Sequence, residues 1–381
     1  MSLRSKRALV ISVQGIGNTV LMTPIINSLT KAAYEVDAIV SDNGSQEILG
    51  LTPNVRKRYV WLEHDGVIGN LLRLRSELGQ SRYDVAYALY PNGKRENALL
   101  WLARASRKIR HTDPQHHYRL LNFLPAGKKL PLEKRHDVNN NLRLLETNGA
   151  SRSDTPQLVL YDEARQFAEV FFESNDLLDK FIVALHPGGG GQAKRWSEDK
   201  YRDLCSRLVE NEGISVLVFG SVAEEALVQS ITQSLNHRAL SVCGLGIDKV
   251  AALLAKSRLL VANDSALAHI ASALDVPVVA IWGYTDFYRV APFNPKALLI
   301  RIDYPCNPCY EFATGYIDDC RYHLKCIRNI SADQVYRIVQ RYISLIRNHE
   351  QLQPDLFASE PGVAKLERLE GGCLKIDLSA V

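Results

Sequence analysis

The sequence contains no run of eighteen or more apolar residues, which excludes a membrane-spanning helix of ordinary length. Cysteine is sparse. Seven in 381 residues give no disulfide framework of the secreted kind, and the cytoplasm is the expected compartment. Charge of one sign is also lacking. Lys and Arg number 46 against 42 Asp and Glu, a net charge of +4. That excess is too small to point to nucleic acid and is compatible with anionic small molecules or a membrane surface. The opening MSLRSKRALVISVQGIGNTV is basic and then apolar, but its apolar part alternates as a strand does. It runs into Gly-x-Gly with no small-residue cleavage site, so a first strand is expected here rather than a secretion signal.

What is present is an ordinary globular composition, 46% hydrophobic and 23% charged, in a chain long enough for two domains. RALVISV (7–13) reads as a buried strand, followed by the turn QGIGN and a helix, TVLMTPIINSLTKA. VDAIVS (36–41) and DVAYALY (84–90) read as a second and third strand, and ENALLWLARA (96–105) as a helix. The segment 111–135 is irregular, and HDVNNNLRLLETNG (136–149) reads as a helix ending in glycine. After a break near 151–160 the alternation restarts. It runs through the strands KFIVALHP, ISVLVFGS, RLLVAND and VPVVAIWG, with helices between them, one of which opens on a Ser cap at Ser197. SADQVYRIVQRYISLIR (331–347) has helical apolar spacing, and the tail after it has no clear period. The expectation is an α/β protein with two parallel sheets facing across a cleft. Its divisions are 1–158, 159–330, a helix at 331–348 and a tail at 349–381. Arg56, Lys57, Arg58, Arg104, Arg107, Lys108 and Arg110 crowd the surface of the first half, a face that suits anionic lipid.

Ligands of such sheets bind beyond the carboxyl ends of the strands, and every Gly-rich or polar turn of this chain sits there: GIGN, HPGGGGQAKRW, FGS, NDSALAH and WGYTD. In HPGGGGQAKRW a strand ends, four glycines follow, and then Lys194, Arg195 and Trp196 precede a helix. Backbone N–H groups around Gly188 and Gly189 can cradle phosphate oxygens, and Lys194 adds a mobile charge. Charge-assisted bonds of this kind contribute roughly 1.5–3 kcal/mol each. In NDSALAH, Asp264 and Ser265 lie where a strand gives way to a helix, and His269 follows one turn later on the face of Ser265. Gly283, Tyr284 and Thr285 complete the cluster.

These motifs, with FGS and Glu224 after it, resemble the glycosyltransferases of the heptosyltransferase type (glycosyltransferase family 9). The likeness covers about 7–347 and is looser in the first half, at GIGNTVLMTPIINSL, YDVAYAL and HDVNNNLRLLETNG. The resemblance implies the GT-B fold, two Rossmann-like domains with a C-terminal helix crossing back, in a cytoplasmic enzyme peripheral at the inner membrane. It implies transfer of a sugar, heptose from an ADP-sugar, onto a lipopolysaccharide-core or related glycan by inverting displacement, with no cofactor required for catalysis. The glycines would make room for the nucleotide-sugar. Lys194 would hold the donor phosphate, and Asp264, Ser265 and Ala266 would meet the diphosphate with His269 and Thr285 beside them. Glu224, or else Glu225, would contact the ribose. Gly15, Gly17 and Asn18 would line the acceptor side.

Two departures stand out. Ala266 occupies a place where the family usually has glycine, and Asn18 one where it usually has the aspartate taken as the base. Asn has no useful basicity near neutral pH. A replacement base would come from Asp42, Asp113, His116 or His117; otherwise the chain is a nucleotide-sugar-binding member with impaired catalysis. An oxidoreductase is the remaining rival, but QGIGNTV lacks the third glycine of a dinucleotide fingerprint and no acid clearly ends the second strand. Cys306, Cys309, Cys320 and Cys326, spaced C-x2-C-x10-C-x5-C, have the look of a structural zinc or iron knuckle, against four reduced thiols in a packed loop.

Overall fold

KRALVIS buries its last five residues completely or nearly so, as a central strand covered on both faces must. The computed structural model that shows this describes residues 5–112, 128–145, 155–233, 235, 238–306, 320 and 322–378. The chain forms two units, Met1–Val159 and Leu160–Val381.

The first unit holds strands β1 (Lys6–Ser12), β2 (Tyr34–Ser41), β3 (Val55–Trp61), β4 (Tyr83–Ala88), β5 (Ala105–Thr112) and β6 (Lys128–Pro131). Its helices are α1 (Ile16–Leu21), α2 (Thr23–Lys31), α3 (Ser45–Gly50), α4 (Gly66–Leu78), α5 (Lys94–Leu102) and α6 (Asp137–Arg143). All six strands are parallel, in the order β3-β2-β1-β4-β5-β6. The sequence reading passed over β3 and β5 because VRKRYVW and ASRKIRHT carry clustered cations. The structure buries Tyr59, Trp61 and Ile109 from these strands. The helix expected from TVLMTPIINSLTKA is two helices, parted at Met22. Pro24 sits in the first turn of α2, where its missing N–H costs nothing. Leu9, Ile11, Ile39, Trp61, Leu74 and Leu99 belong to a core between the sheet and α4–α5.

The second unit holds β7 (Phe181–His186), β8 (Ile214–Gly220), β9 (Ala239–Cys243), β10 (Leu259–Asn263), β11 (Val278–Ile281), β12 (Ala297–Arg301), β13 (Val363–Arg368) and β14 (Leu374–Leu378). Its helices are α7 (Asp162–Ser174), α8 (Glu198–Val209), α9 (Glu225–Thr232), α10 (Ile247–Lys256), α11 (Ala266–Ala273), α12 (Phe287–Val290), α13 (Lys325–Arg328) and α14 (Ala332–Arg347). The strand order is β13-β14-β12-β11-β10-β7-β8-β9, parallel except for the antiparallel β13–β14 pair. The tail, without pattern in the sequence, supplies β13 and β14. Leu374, Ile376 and Leu378 alternate inward, and Lys375 obscures the pattern because it too is buried, donating to Asp303 at 2.8 Å. α14 opens on a capping box between Ser331 and Gln334, and its Val335, Ile338, Val339 and Tyr342 enter the core of this unit.

Each sheet reverses its direction of growth beside its first strand. In the first unit β1 lies between β2 and β4; in the second β7 lies between β8 and β10. Such switch points leave a crevice beyond the strand ends. The motifs singled out from the sequence follow β1, β7, β8, β10 and β11.

Candidate functional site

Trp196 explains how HPGGGGQAKRW is held. Its indole is 2% exposed, packs edge-on against Tyr201 and donates to the Ile330 carbonyl at 2.8 Å. Asn263, the last residue of β10, ties the two ends of the loop together. Its amide nitrogen donates to the carbonyls of Pro187 (2.8 Å) and Gly188 (2.9 Å), and its oxygen accepts from the Trp196 N–H (3.0 Å) and the Tyr201 hydroxyl (3.1 Å). The amide is fully buried and all its bonds are satisfied, which fixes the loop at the β7–β10 switch. The sequence reading missed Asn263; a polar residue ending an otherwise apolar strand was the available signal.

The glycine run has a use inside the protein. A Cβ on Gly188 would stand 2.2 Å from Oε1 of Glu224, and Gly189 adopts φ +148°. At Gly188 the close approach is made by the Glu224 carboxylate, which fills the space a Cβ would take. Gly190 and Gly191 have open space instead. Glu224 Oε1 accepts from the Gly189 N–H and from Arg195 Nη2, each at 3.1 Å. Oε2 accepts from the Ser221 N–H and hydroxyl, each at 2.9 Å. His186 beside it, with the Ser221 and Gly189 donors, holds this carboxyl far below the usual carboxylate range against the opposing effect of burial. Glu224 thus braces the loop through both carboxylate oxygens. The neighbouring Glu225 is on an exposed helix start and accepts from Gln229.

The other residues expected on the donor side gather around Asp264. Lys194 Nζ lies 2.7 Å from Asp264 Oδ2, and the Thr285 hydroxyl donates to the same oxygen at 2.6 Å. Ser265 takes the N-cap position of α11, but its hydroxyl is 3.0 Å from His186 Nδ1 and caps nothing, so no side chain closes the helix start at Ala266. Ser197 likewise occupies its N-cap position without a side-chain cap bond. His269 is 6% exposed, and its Nδ1 has no hydrogen-bond partner among the described residues. Burial pushes its imidazole down to about 4, with Lys194 acting in the same direction and Asp264 against it, so it is neutral at pH 7. A cation, a helix start and a neutral imidazole thus meet on a loop rich in free backbone, a combination suited to an anion.

In the first unit the QGIGN turn is shorter than expected. Gly15 is the N-cap of α1, and Gly17 and Asn18 lie in its first turn. Asn18 is half-buried, and its amide makes no hydrogen bond among the described residues. Gln14 crosses the switch point and donates to Glu96 Oε1 at 2.5 Å, while Glu96 Oε2 accepts from the Gly93 N–H at 2.8 Å. Glu96 is 1% exposed and burial pushes its carboxyl upward, against the hydrogen bonds that lower it. It was not singled out from the sequence, where it reads as an ordinary acid in a helix start. Of the replacement bases, Asp42 accepts the Glu63 N–H at 3.2 Å; Asp113, His116 and His117 lie outside the described residues. The basic face also changes. Arg110 is buried and donates to Asn97, and Arg56 pairs with Glu35 and the buried Asp37.

The cysteine cluster is not assembled as a metal site among the described residues, where no group of three or more His, Cys, Asp or Glu side chains is placed to hold an ion. Cys306 and Cys320 are partly exposed, Cys326 is buried, and Cys309 lies outside the described residues. No metal is assigned to them.

Residues 71–317 match the model of glycosyltransferase family 9 (heptosyltransferase). Lipooligosaccharide heptosyltransferase 2 of Haemophilus influenzae is 30% identical over 279 residues, covering 69% of this chain and 79% of its own. A glycosyl transferase family 9 structure from Veillonella parvula DSM 2008 superposes with TM-score 0.77 at 22% identity, over 90% of this chain and 99% of that one. The structure of E. coli ADP-heptose lps heptosyltransferase II superposes with TM-score 0.69 at 21% identity, over 90% and 99%.

Proposed function

The chain belongs to glycosyltransferase family 9, with the two-sheet α/β GT-B fold, and from that premise we propose that it moves heptose from an ADP-linked donor onto a lipopolysaccharide-core glycan. The observation that carries this reading is the convergence of Lys194, Asp264, Thr285 and the α11 start at the β7–β10 switch point. The names of the relatives supply the sugar and acceptor class. In the reaction the acceptor hydroxyl oxygen attacks the anomeric carbon with inversion, the bond from that carbon to the diphosphate oxygen breaks, and ADP leaves. Lys194 and the first N–H groups of α11 would stabilise the charge that develops on the diphosphate. The hydroxyl proton would pass to a base on the acceptor side. A lipid-anchored acceptor would draw the chain to the inner membrane as a peripheral enzyme.

A second reading rests on Asn18 alone: a member that binds the nucleotide-sugar without turning it over. A positioned base contributes about 10²–10⁴-fold, and an amide cannot supply it. The experiment that tests the binding site is a thermal-unfolding screen of ADP, other nucleoside diphosphates, nucleotide-sugars and NAD. A ligand at a hundred times its Kd stabilises the fold by about 2.7 kcal/mol. The proposal expects ADP and ADP-sugars to stabilise most. Stabilisation by NAD with none by ADP would count against it.

A further inference from the structure

One face of the first unit takes no part in the chemistry proposed above. Helix α4 buries Leu74 and Leu78 in the core, yet also carries Val67, Ile68 and Leu72, which are 51%, 75% and 66% exposed. Trp101, near the end of α5, is 49% exposed. Ile68 and Leu72 are one turn apart. Leu72 and Trp101 line one open groove of about 530 Å³, with Arg75 and Arg104 in the same walls. Single exposed apolar residues are ordinary, but large ones sharing a groove form a patch.

Charge is sorted around this patch. Away from the groove, Arg73 is neutralised by Asp65 and Glu77, and Arg95 by Glu63. At the groove, Arg75 has no ion-pair partner among the described residues. Arg104 donates to the neutral Gln80 side chain at 2.6 Å, and Lys108 donates to the Trp101 carbonyl at 2.7 Å. Among the described residues, three cations without a carboxylate partner therefore border an apolar strip. A second copy docked face to face would bring the same three cations together, a like-charge contact. An anionic bilayer satisfies every feature. Aliphatic side chains enter the acyl boundary, Trp sits at headgroup level, and Arg and Lys meet the phosphates.

We infer that the α4–α5 face of the first unit docks on an anionic lipid surface. The inference rests on the reading of a transferase with a lipid-anchored acceptor, but the docking itself needs no donor. The test is sedimentation of the full chain with vesicles of phosphatidylcholine alone, and of phosphatidylcholine mixed with phosphatidylglycerol. The wild type should sediment with the anionic vesicles, be released by high salt, and stay in solution with phosphatidylcholine alone. The double variants Ile68→Ser/Leu72→Ser and Arg75→Glu/Arg104→Glu should each partition roughly tenfold more weakly, or worse. Because all four side chains are exposed, both variants should keep the wild-type unfolding temperature and its shift with ADP. A wild type that stays in solution with anionic vesicles overturns the inference, as do variants that sediment like the wild type. So does a wild-type dimer, seen by analytical ultracentrifugation, that these variants dissolve, since that assigns the patch to a second copy. If vesicle binding follows the pattern above while ADP gives no shift, the failure lies with the transferase reading and not with this surface.

Discussion

Lys194 Nζ and Asp264 Oδ2 stand 2.7 Å apart, joining the glycine loop after β7 to the turn after β10. The pair holds the cation over the switch point, and the Thr285 hydroxyl donates to the same Asp264 oxygen. Lys194 is still partly exposed, its side chain at 24%, so an incoming diphosphate can share it. A pair open to solvent on one side contributes about 0–1 kcal/mol to folding, and Asp264 keeps the Thr285 hydroxyl when the lysine is lost. Lys194→Ala is expected to weaken ADP binding by roughly tenfold or more, the loss of one charge-assisted contact, while the unfolding temperature stays close to wild type. Calorimetric titration with ADP checks this, and unchanged affinity removes Lys194 from the proposed phosphate site.

Gly188 and Glu224 form the tightest fit in the loop. Gly188→Ala places a methyl 2.2 Å from Glu224 Oε1 and 2.5 Å from its Cδ. The overpacking should cost about 1–3 kcal/mol. Glu224→Ala removes the obstacle along with its own hydrogen bonds, so the double variant should be less destabilised than the sum of the two single changes. Chemical denaturation of all four proteins measures the coupling; simple additivity would mean that the methyl is accommodated elsewhere.

His269 gives the site a pH signature. Its folded value, about 4, lies below the ordinary 6.5, so on acidification the unfolded chain takes up the proton first. The stability due to the neutral imidazole is fully present above pH 6.5 and is lost as the pH falls towards 4. A shift of this size corresponds to something on the order of 3 kcal/mol. His269→Gln should therefore show a shallower fall in unfolding temperature than the wild type over that interval. Parallel curves for the two proteins would show that His269 is solvated or charged in the fold.

The sequence made some of this visible and hid the rest for physical reasons. Strands β7, β8 and β10 are apolar and buried on both faces, so their runs stand out, and the loops that follow them carry Lys194, Asp264 and Ser265. β3 and β5 were hidden by cations at their exposed positions, and β14 by Lys375, whose charge is met inside the fold by Asp303. Asn263 and Glu96 act through partners distant in sequence, such as Trp196 and Gln14. Spacing alone cannot announce such roles. The glycine run was legible as a close approach, but what approaches Gly188 is a side chain 36 residues further along the chain.

Asn18 sits in the first turn of α1 with an amide that makes no hydrogen bond among the described residues. If it holds the position of the base, Asn18→Asp should raise the transfer rate, or create it, by up to about 10²–10⁴-fold. A steady-state assay with ADP-heptose and a core acceptor measures the change. Fast transfer by the wild type that the substitution leaves unaltered would place the reacting hydroxyl away from this loop.

The transferase assignment is tested most directly by mass spectrometry of a heptose-deficient lipopolysaccharide core incubated with ADP-heptose and the wild-type chain. The predicted result is a core heavier by one heptose, with ADP released in equal amount. ADP-heptose that binds at the Lys194 loop and leaves the core unchanged, with no ADP released, would contradict transfer and leave a protein that only holds the nucleotide-sugar.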